Sequence, residues 1–127
     1  MQIDVKENET GYLIPLYLKE INNIKRFFII KNKQPNVMRG NHAHKKDYQK
    51  LVLLNGKAEI EFENSEQKSK TQLQFGIPYF SKPYEWLTIN MIEENTIILV
   101  LCTEEYDEEE YIREYSEFKN ILVEQQK

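Results

Sequence analysis

The 127-residue chain has a single cysteine, only two histidines, no block of basic residues and no long apolar run. Each scarcity excludes something. Cys102 has no partner for an intrachain disulfide, and no C-x-x-C pair offers a thiol site for zinc or redox work; in its apolar run it reads as a buried, inert thiol. A formal net charge of −4 without a basic tail removes the electrostatic footprint of a nucleic-acid binder. The longest apolar runs fall far short of the roughly 20 residues that cross a bilayer. The start, Met1-Gln2-Ile3-Asp4-Val5-Lys6-Glu7, has no apolar signal-peptide core, so a cytoplasmic protein is expected, with no membrane partner. What is present argues for a sheet. Apolar residues make up 40% and aromatics 12%, with eight Tyr and six Phe, which is too apolar for disorder and suits a pleated, half-buried surface. The length allows one domain, residues 1–127, with one core and one ligand cavity.

Short apolar segments alternate with turn residues, the pattern of a β-sandwich or barrel. Strands are expected at Tyr12–Leu18, Ile24–Lys31, Lys57–Phe62, Thr71–Phe75, Trp86–Ile92 and Ile97–Leu101, with Asn41–Leu54 a long strand or a bent pair. Lys33-Gln34-Pro35-Asn36 reads as a loop and Asn64–Lys70 as a polar turn. Asn55-Gly56 predicts a type I′ hairpin, whose two central positions need positive φ. In Lys57–Phe62 alternation sends Ala58, Ile60 and Phe62 inward, and Ile97–Leu101 looks buried on both sides. Tyr111, Tyr115, Phe118 and Leu122 fall on one helical face. Asp107 with Glu110 is a capping-box-like start, and the acidic run Glu104–Glu110 suits a helix N-terminus. The expectation is an all-β domain with one C-terminal α-helix from about residue 108, covering an opening or an edge.

His42 and His44 stand two apart, so in a strand both imidazoles face one way, joined by Lys46 if the strand continues, while Arg39, Asn41 and Lys45 face the other. Two histidines and a lysine cannot enter an apolar core without partners. That face is therefore wet, or it lines a cavity built for chemistry.

The spacing H-x-H, four residues, Gln49, six residues, Gly56 resembles the cupin motif, in which a Glu stands where Gln49 does. The resemblance implies a double-stranded β-helix, or jelly-roll barrel. Cupin metal sites use three histidines and that Glu. This chain has no third histidine, and Lys82-Pro83-Tyr84-Glu85-Trp86-Leu87 offers no ligand of the expected type, so metal-free acid/base chemistry or binding is expected, without a cofactor.

The fuller segment Arg39-Gly40-x-His42-Ala43-His44-Lys45-Lys46, then Gln49 and Leu54-Asn55-Gly56, is similar to the nucleotide-sugar 3,4-ketoisomerases, the WxcM-like cupins. So are Ile24-Lys25-Arg26 and the tail Tyr106-Asp107-x-x-x-Tyr111-Ile112-Arg113-x-Tyr115-x-x-Phe118. The resemblance implies a cytoplasmic homodimer with exchanged N-terminal strands. Its activity would move the carbonyl of a dTDP-4-keto-6-deoxyhexose from C4 to C3, toward the amino sugars of surface polysaccharides. The residues suit that chemistry: His42 and His44 as acid/base groups near neutral pH, Lys46 as an electrostatic stabiliser of the enediolate, and Arg26 and Arg39 as diphosphate ligands. Tyr12, Tyr84 or Trp86 could stack on thymine or sugar, and Gln49 joins the substrate-binding set. The chain departs from the family at Leu87-Thr88, where His-Glu typically follows the Trp, and at Phe27-Phe28, where a tyrosine pair is usual. A sugar-nucleotide-binding cupin without activity and an epimerase on the same barrel are the other readings.

Overall fold

The structure, a computed structural model, describes residues 2–17 and 23–126. The strands are β1 (Lys6–Asn8), β2 (Gly11–Leu13), β3 (Arg26–Lys31), β4 (Val37–His44), β5 (Gln49–Asn55), β6 (Ala58–Glu63), β7 (Lys68–Leu73), β8 (Tyr79–Ser81), β9 (Trp86–Met91), β10 (Ile97–Cys102) and β11 (Tyr111–Ile112), followed by the helix α1 (Tyr115–Gln125). β1 and β2 form a separate hairpin. The others make two antiparallel sheets, ordered β3-β10-β5-β8 and β11-β4-β9-β6-β7. Apart from the β6–β7 hairpin, successive strands from β3 onward switch sheets, so the two layers are wound together as the jelly roll expected from the cupin-like spacing.

The core follows from alternation. Ala58 and Ile60 of β6, Leu87, Ile89 and Met91 of β9, and Ile98 and Val100 of β10 are all at most 5% exposed and fill the space between the sheets. β10 pairs on both sides, with β3 and β5; Ile98, Val100, Leu101 and Cys102 are buried but Ile97 and Leu99 are half-buried, so the run expected to be buried on both sides is so only at its C-terminal end.

Several local expectations change. The strand expected over Tyr12–Leu18 is shortened to Gly11–Leu13; Pro15, which has no N–H for a ladder, lies in the irregular stretch after it, and Leu18 lies outside the described residues. The strand expected at Thr71–Phe75 runs instead over Lys68–Leu73, because cross-strand neighbours Glu63–Lys68 and Glu61–Lys70 of opposite charge hold a polar stretch in the ladder. Asn41–Leu54 is the bent pair, β4 and β5. Asn55-Gly56 is not a hairpin: β5 and β6 belong to different sheets, and among the two residues only Gly56 has a positive φ, 85°. Only glycine fits there, since a Cβ would stand 2.3 Å from Thr96 Oγ1.

The tail differs most. Asp107 accepts from the Glu109 N–H and caps a short 3-10 turn, Glu108–Glu110, rather than the helix. Tyr111 and Ile112 then pair with β4 as β11, and the α-helix begins only at Tyr115. Strand pairing wins over helix propagation because Ile112 and Ala43, both fully buried, join Phe118 and Leu122 in a second core beneath α1. The helix thus covers the outer face of the five-stranded sheet at its β11–β4 edge.

Candidate active site

The site is organised by a bulge in β4. Arg39 pairs with Ile89, Gly40 with Thr88 and His42 with Leu87, so Asn41 is an extra residue. Gly40 (φ 89°) and Asn41 (φ 57°) absorb it in the left-handed region. One inserted residue reverses the alternation beyond it. Arg39 and His42, three apart, therefore share the inner face with Ile89 and Leu87, whereas simple alternation puts them on opposite faces. Asn41 is turned outward, where it accepts from the Thr88 hydroxyl at 3.0 Å. A Cβ at Gly40 would meet the Leu87 carbonyl oxygen at 2.7 Å, so the bulge requires glycine.

His42 and His44 meet at 4.9 Å between ring centroids, with Tyr111 packed against both at 5.0 and 4.5 Å. The His42 Nδ1–H donates to the Gly40 carbonyl at 3.1 Å, which leaves Nε2 as the lone-pair nitrogen. Burial first, and the neighbouring His44 second, push the His42 pKa down to about 4, so the ring is a neutral base at pH 7. His44 is 3% exposed. Its Nδ1 donates to the Glu110 carboxylate, 3.0 and 2.8 Å from the two oxygens, which fixes tautomer and ring orientation. Its Nε2 is buried with no hydrogen-bond partner among the described residues.

Glu110 is itself held, accepting from the Asp47 N–H at 2.9 Å. Asp47 is the hub behind the site. Its Oδ1 accepts from the Thr103 and Glu104 N–H groups at 3.0 and 3.1 Å, and its Oδ2 from the Gln49 side-chain amide at 2.9 Å. The β4–β5 turn is thereby pinned to the chain leaving β10.

A cavity of about 700 Å³ opens beside these groups between the two sheets, within the range of small-ligand sites. Of the residues expected to bind substrate, Arg39 and Gln49 line it together with His42, and His44 stands directly behind. Arg26 is not in its lining; it pairs with Asp47 at 3.7 Å and lies over the rings of Phe28 and Tyr106, a brace rather than a wall. Lys46 does not continue the histidine face, because β4 ends at His44 and Lys46 is exposed in the turn beyond. Tyr12 sits on the N-terminal hairpin, its hydroxyl donating to the Leu54 carbonyl at 2.7 Å and its ring edge-on to Phe75. Trp86 points to the outer face and packs between Tyr115 and Phe118 at 5.3 and 5.5 Å, and Tyr84 packs into the same layer under α1.

Three residues of the tail enter the site that residue patterns did not assign to it. Glu110, taken as part of a helix cap, is the carboxylate behind His44. Tyr111, taken as helical, and Arg113 both line the cavity. The alternation Tyr111-Ile112-Arg113, two polar-tipped residues flanking an aliphatic one, is the only local hint of a strand there.

The donor set does not suit a cupin metal. Gln49 is a neutral amide whose N–H is committed to Asp47, and His44 Nδ1 is committed to Glu110. His44, Asp47 and Glu110 lie close enough to share an ion. Their oxygens, however, already accept backbone and side-chain N–H groups, so the three read as a hydrogen-bond network.

The family described as FdtA, WxcM-like, C-terminal, matches residues 2–123. The TDP-4-oxo-6-deoxy-alpha-D-glucose-3,4-oxoisomerase of Aneurinibacillus thermoaerophilus is 30% identical over 122 residues, 95% of this chain and 81% of that protein. Among solved structures, a sugar 3,4-ketoisomerase from Thermoanaerobacterium thermosaccharolyticum in complex with TDP has a TM-score of 0.88 at 27% identity, over 98% of this chain and 93% of that one. A 3,4-ketoisomerase from Helicobacter canadensis has a TM-score of 0.85 at 34% identity, over 96% and 94% of the two chains.

Proposed function

The chain belongs to the FdtA, or WxcM-like C-terminal, family, and from that premise we propose that it is an isomerase moving the carbonyl of a TDP-4-keto-6-deoxyhexose from C4 to C3 by histidine acid/base catalysis. The observation that carries this reading is the pair of touching imidazoles, one neutral at the wall of a cavity large enough for a hexose and the other backed by a buried carboxylate.

In this reading His42 Nε2 takes the proton from C3. The C3–H electron pair becomes the C3=C4 bond, and the carbonyl pair of C4 moves onto O4. The enediolate accepts a proton at O4 and gives one up at O3, and C4 is then protonated, leaving the ketone at C3 with no net change in atoms or electrons. A base with a pKa near 4 is weak but unprotonated at neutral pH, and position rather than basicity has to supply most of its effect. His44, oriented by Glu110 and packed against His42, is the second acid/base group of this reading, with its buried Nε2 as the nitrogen left for proton movement. Arg39, exposed at the rim, is placed for the diphosphate, which arginine can bind bidentately. The donor set gives no role to a metal.

The product, a 3-keto sugar, suits a following amination on the way to the amino sugars of surface polysaccharides. The working form in this reading is a cytoplasmic homodimer with exchanged N-terminal strands. It is supported by β3, an edge strand of its sheet that exposes Phe27 and Ile29 at 67% and 59%.

The test is turnover of TDP-4-keto-6-deoxyglucose in D₂O, followed by NMR of the sugar protons. The wild type is expected to wash out the C3 proton and shift the carbonyl, and His42→Asn and His44→Asn to do neither while keeping the wild-type circular dichroism. Full activity in both variants would remove histidine catalysis from the account.

A further inference from the structure

Shifting the ketone through an enediolate places a negative charge on O4 beside His42, and a site that stabilises it needs a fixed donor aimed there. Lys46, the sequence's candidate, is outside the cavity. The register of β11 on β4 supplies another group. Tyr111 stands opposite His44 and Ile112 opposite Ala43, so one further step along the antiparallel pairing sets Arg113 opposite His42, on the cavity face. Arg113 indeed lines the cavity. Directly opposed residues have Cβ atoms only about 5 Å apart. The other arginine of the wall, Arg39, lies two ladder steps along β4 from His42, toward the rim.

Arg113 is half-exposed, and two neighbours orient it. Its Nε and Nη2 donate to the two oxygens of Glu108, the second at 2.9 Å, and its guanidinium carbon lies 4.5 Å from the centroid of the Tyr111 ring. Glu108 is fixed in turn by the Tyr106 hydroxyl at 2.6 Å. A guanidinium has five N–H donors; Glu108 takes two and the Tyr106 hydroxyl is a further hydrogen-bond partner, which leaves donors for a substrate oxygen.

We propose that Arg113 is a catalytic residue that hydrogen-bonds the developing enediolate oxygen, and that Glu108 and Tyr111 are its positioning residues. This rests on the ketoisomerase reading and assigns to that reaction its electrostatic group. Arg113 belongs to the reacting end of the cavity and Arg39 to the diphosphate end.

Arg113→Met and Arg113→Lys are the variants that test it, each measured for kcat, KM, C3 proton exchange in D₂O and TDP affinity by calorimetry. Removal of one such donor typically costs about 10²–10³ in kcat. The expected result is a kcat loss of that order in Arg113→Met, partial recovery in Arg113→Lys, and added guanidinium ion restoring part of the Arg113→Met rate. KM and the TDP dissociation constant should stay within about threefold. A kcat within threefold of wild type, or weakened TDP binding with kcat unchanged at saturation, overturns the assignment while leaving the ketoisomerase standing. A wild-type protein that neither exchanges the C3 proton nor turns over overturns both.

Discussion

Gly40→Ala probes the feature on which the active site depends, the bulge that brings Arg39 and His42 to one face. Two costs and one gain enter. Forcing an L-residue to the φ of 89° at this position costs about 1–2 kcal/mol. The new methyl would stand 2.7 Å from the Leu87 carbonyl oxygen, a backbone atom of the neighbouring strand that cannot swing away. Relief of such overpacking costs about 1–3 kcal/mol more. Replacing glycine also restricts the unfolded chain, returning about 0.4–1 kcal/mol. The net loss is about 1–4.6 kcal/mol. With an unfolding entropy of about 2.1 cal/mol/K per residue over 127 residues, each kcal/mol lowers Tm by about 4 °C, so the expected drop is about 4–18 °C. Gly76→Ala is the internal control. Its φ of 86° carries the same strain, but the added Cβ meets only Val5 Cγ2 and the Ile3 carbonyl oxygen at ordinary distances of 3.7 and 3.9 Å, so at most about 1.6 kcal/mol, or about 6 °C, is expected. Thermal and urea denaturation of the two variants isolate the Leu87 contact. The Gly40→Ala protein should also lose at least tenfold in kcat, because the Gly40 carbonyl holds the His42 ring. Equal stability losses in the two variants would refute the steric argument, and a fully active Gly40→Ala protein would refute the link between bulge and catalysis.

Three further outcomes are expected. The His42 pKa falls from 6.5 to about 4 on folding, so between those values the unfolded chain binds the extra proton. Stability is then lost as pH falls from about 6.5 to about 4, by on the order of 3 kcal/mol, and urea titrations of His42→Asn should lack that share of the slope. Phe118→Ala empties the centre of the layer under α1, where Phe118 is fully buried against Trp86 and Tyr115. It should cost about 3–5 kcal/mol, read as a shift in the urea midpoint; a loss below 1 kcal/mol would mean that the helix is not anchored there. Exhaustive chelation should leave kcat unchanged, since the cupin glutamate position is Gln49 with its amide bound to Asp47; activity that disappears and returns with a divalent ion would contradict this.

The sequence by itself determined what depends on near neighbours. Period-two alternation located β6, short apolar segments located β9 and β10, and the His-x-His spacing with Gln49 and Gly56 indicated the jelly roll and its two imidazoles. Composition and charge removed nucleic acid and helical membrane spans from consideration. Only the tertiary structure decided which residues face the cavity. The β4 bulge exists because Gly40 lies against Leu87, 47 residues later by number, and that one extra residue moves Arg39 inward and Asn41 outward. Glu110 behaves as a helix cap in any local reading and becomes the partner of His44 only because β11 pairs with β4, across 66 residues of chain. Trp86, Tyr12 and Lys46 carry chemistry that fits a sugar nucleotide, and packing under α1, a hairpin contact and the end of a strand place them elsewhere. Spacing along the chain fixes the face a side chain prefers, but the cross-strand partner fixes the face it takes, because register and bulges are set by hydrogen bonds between segments distant in sequence.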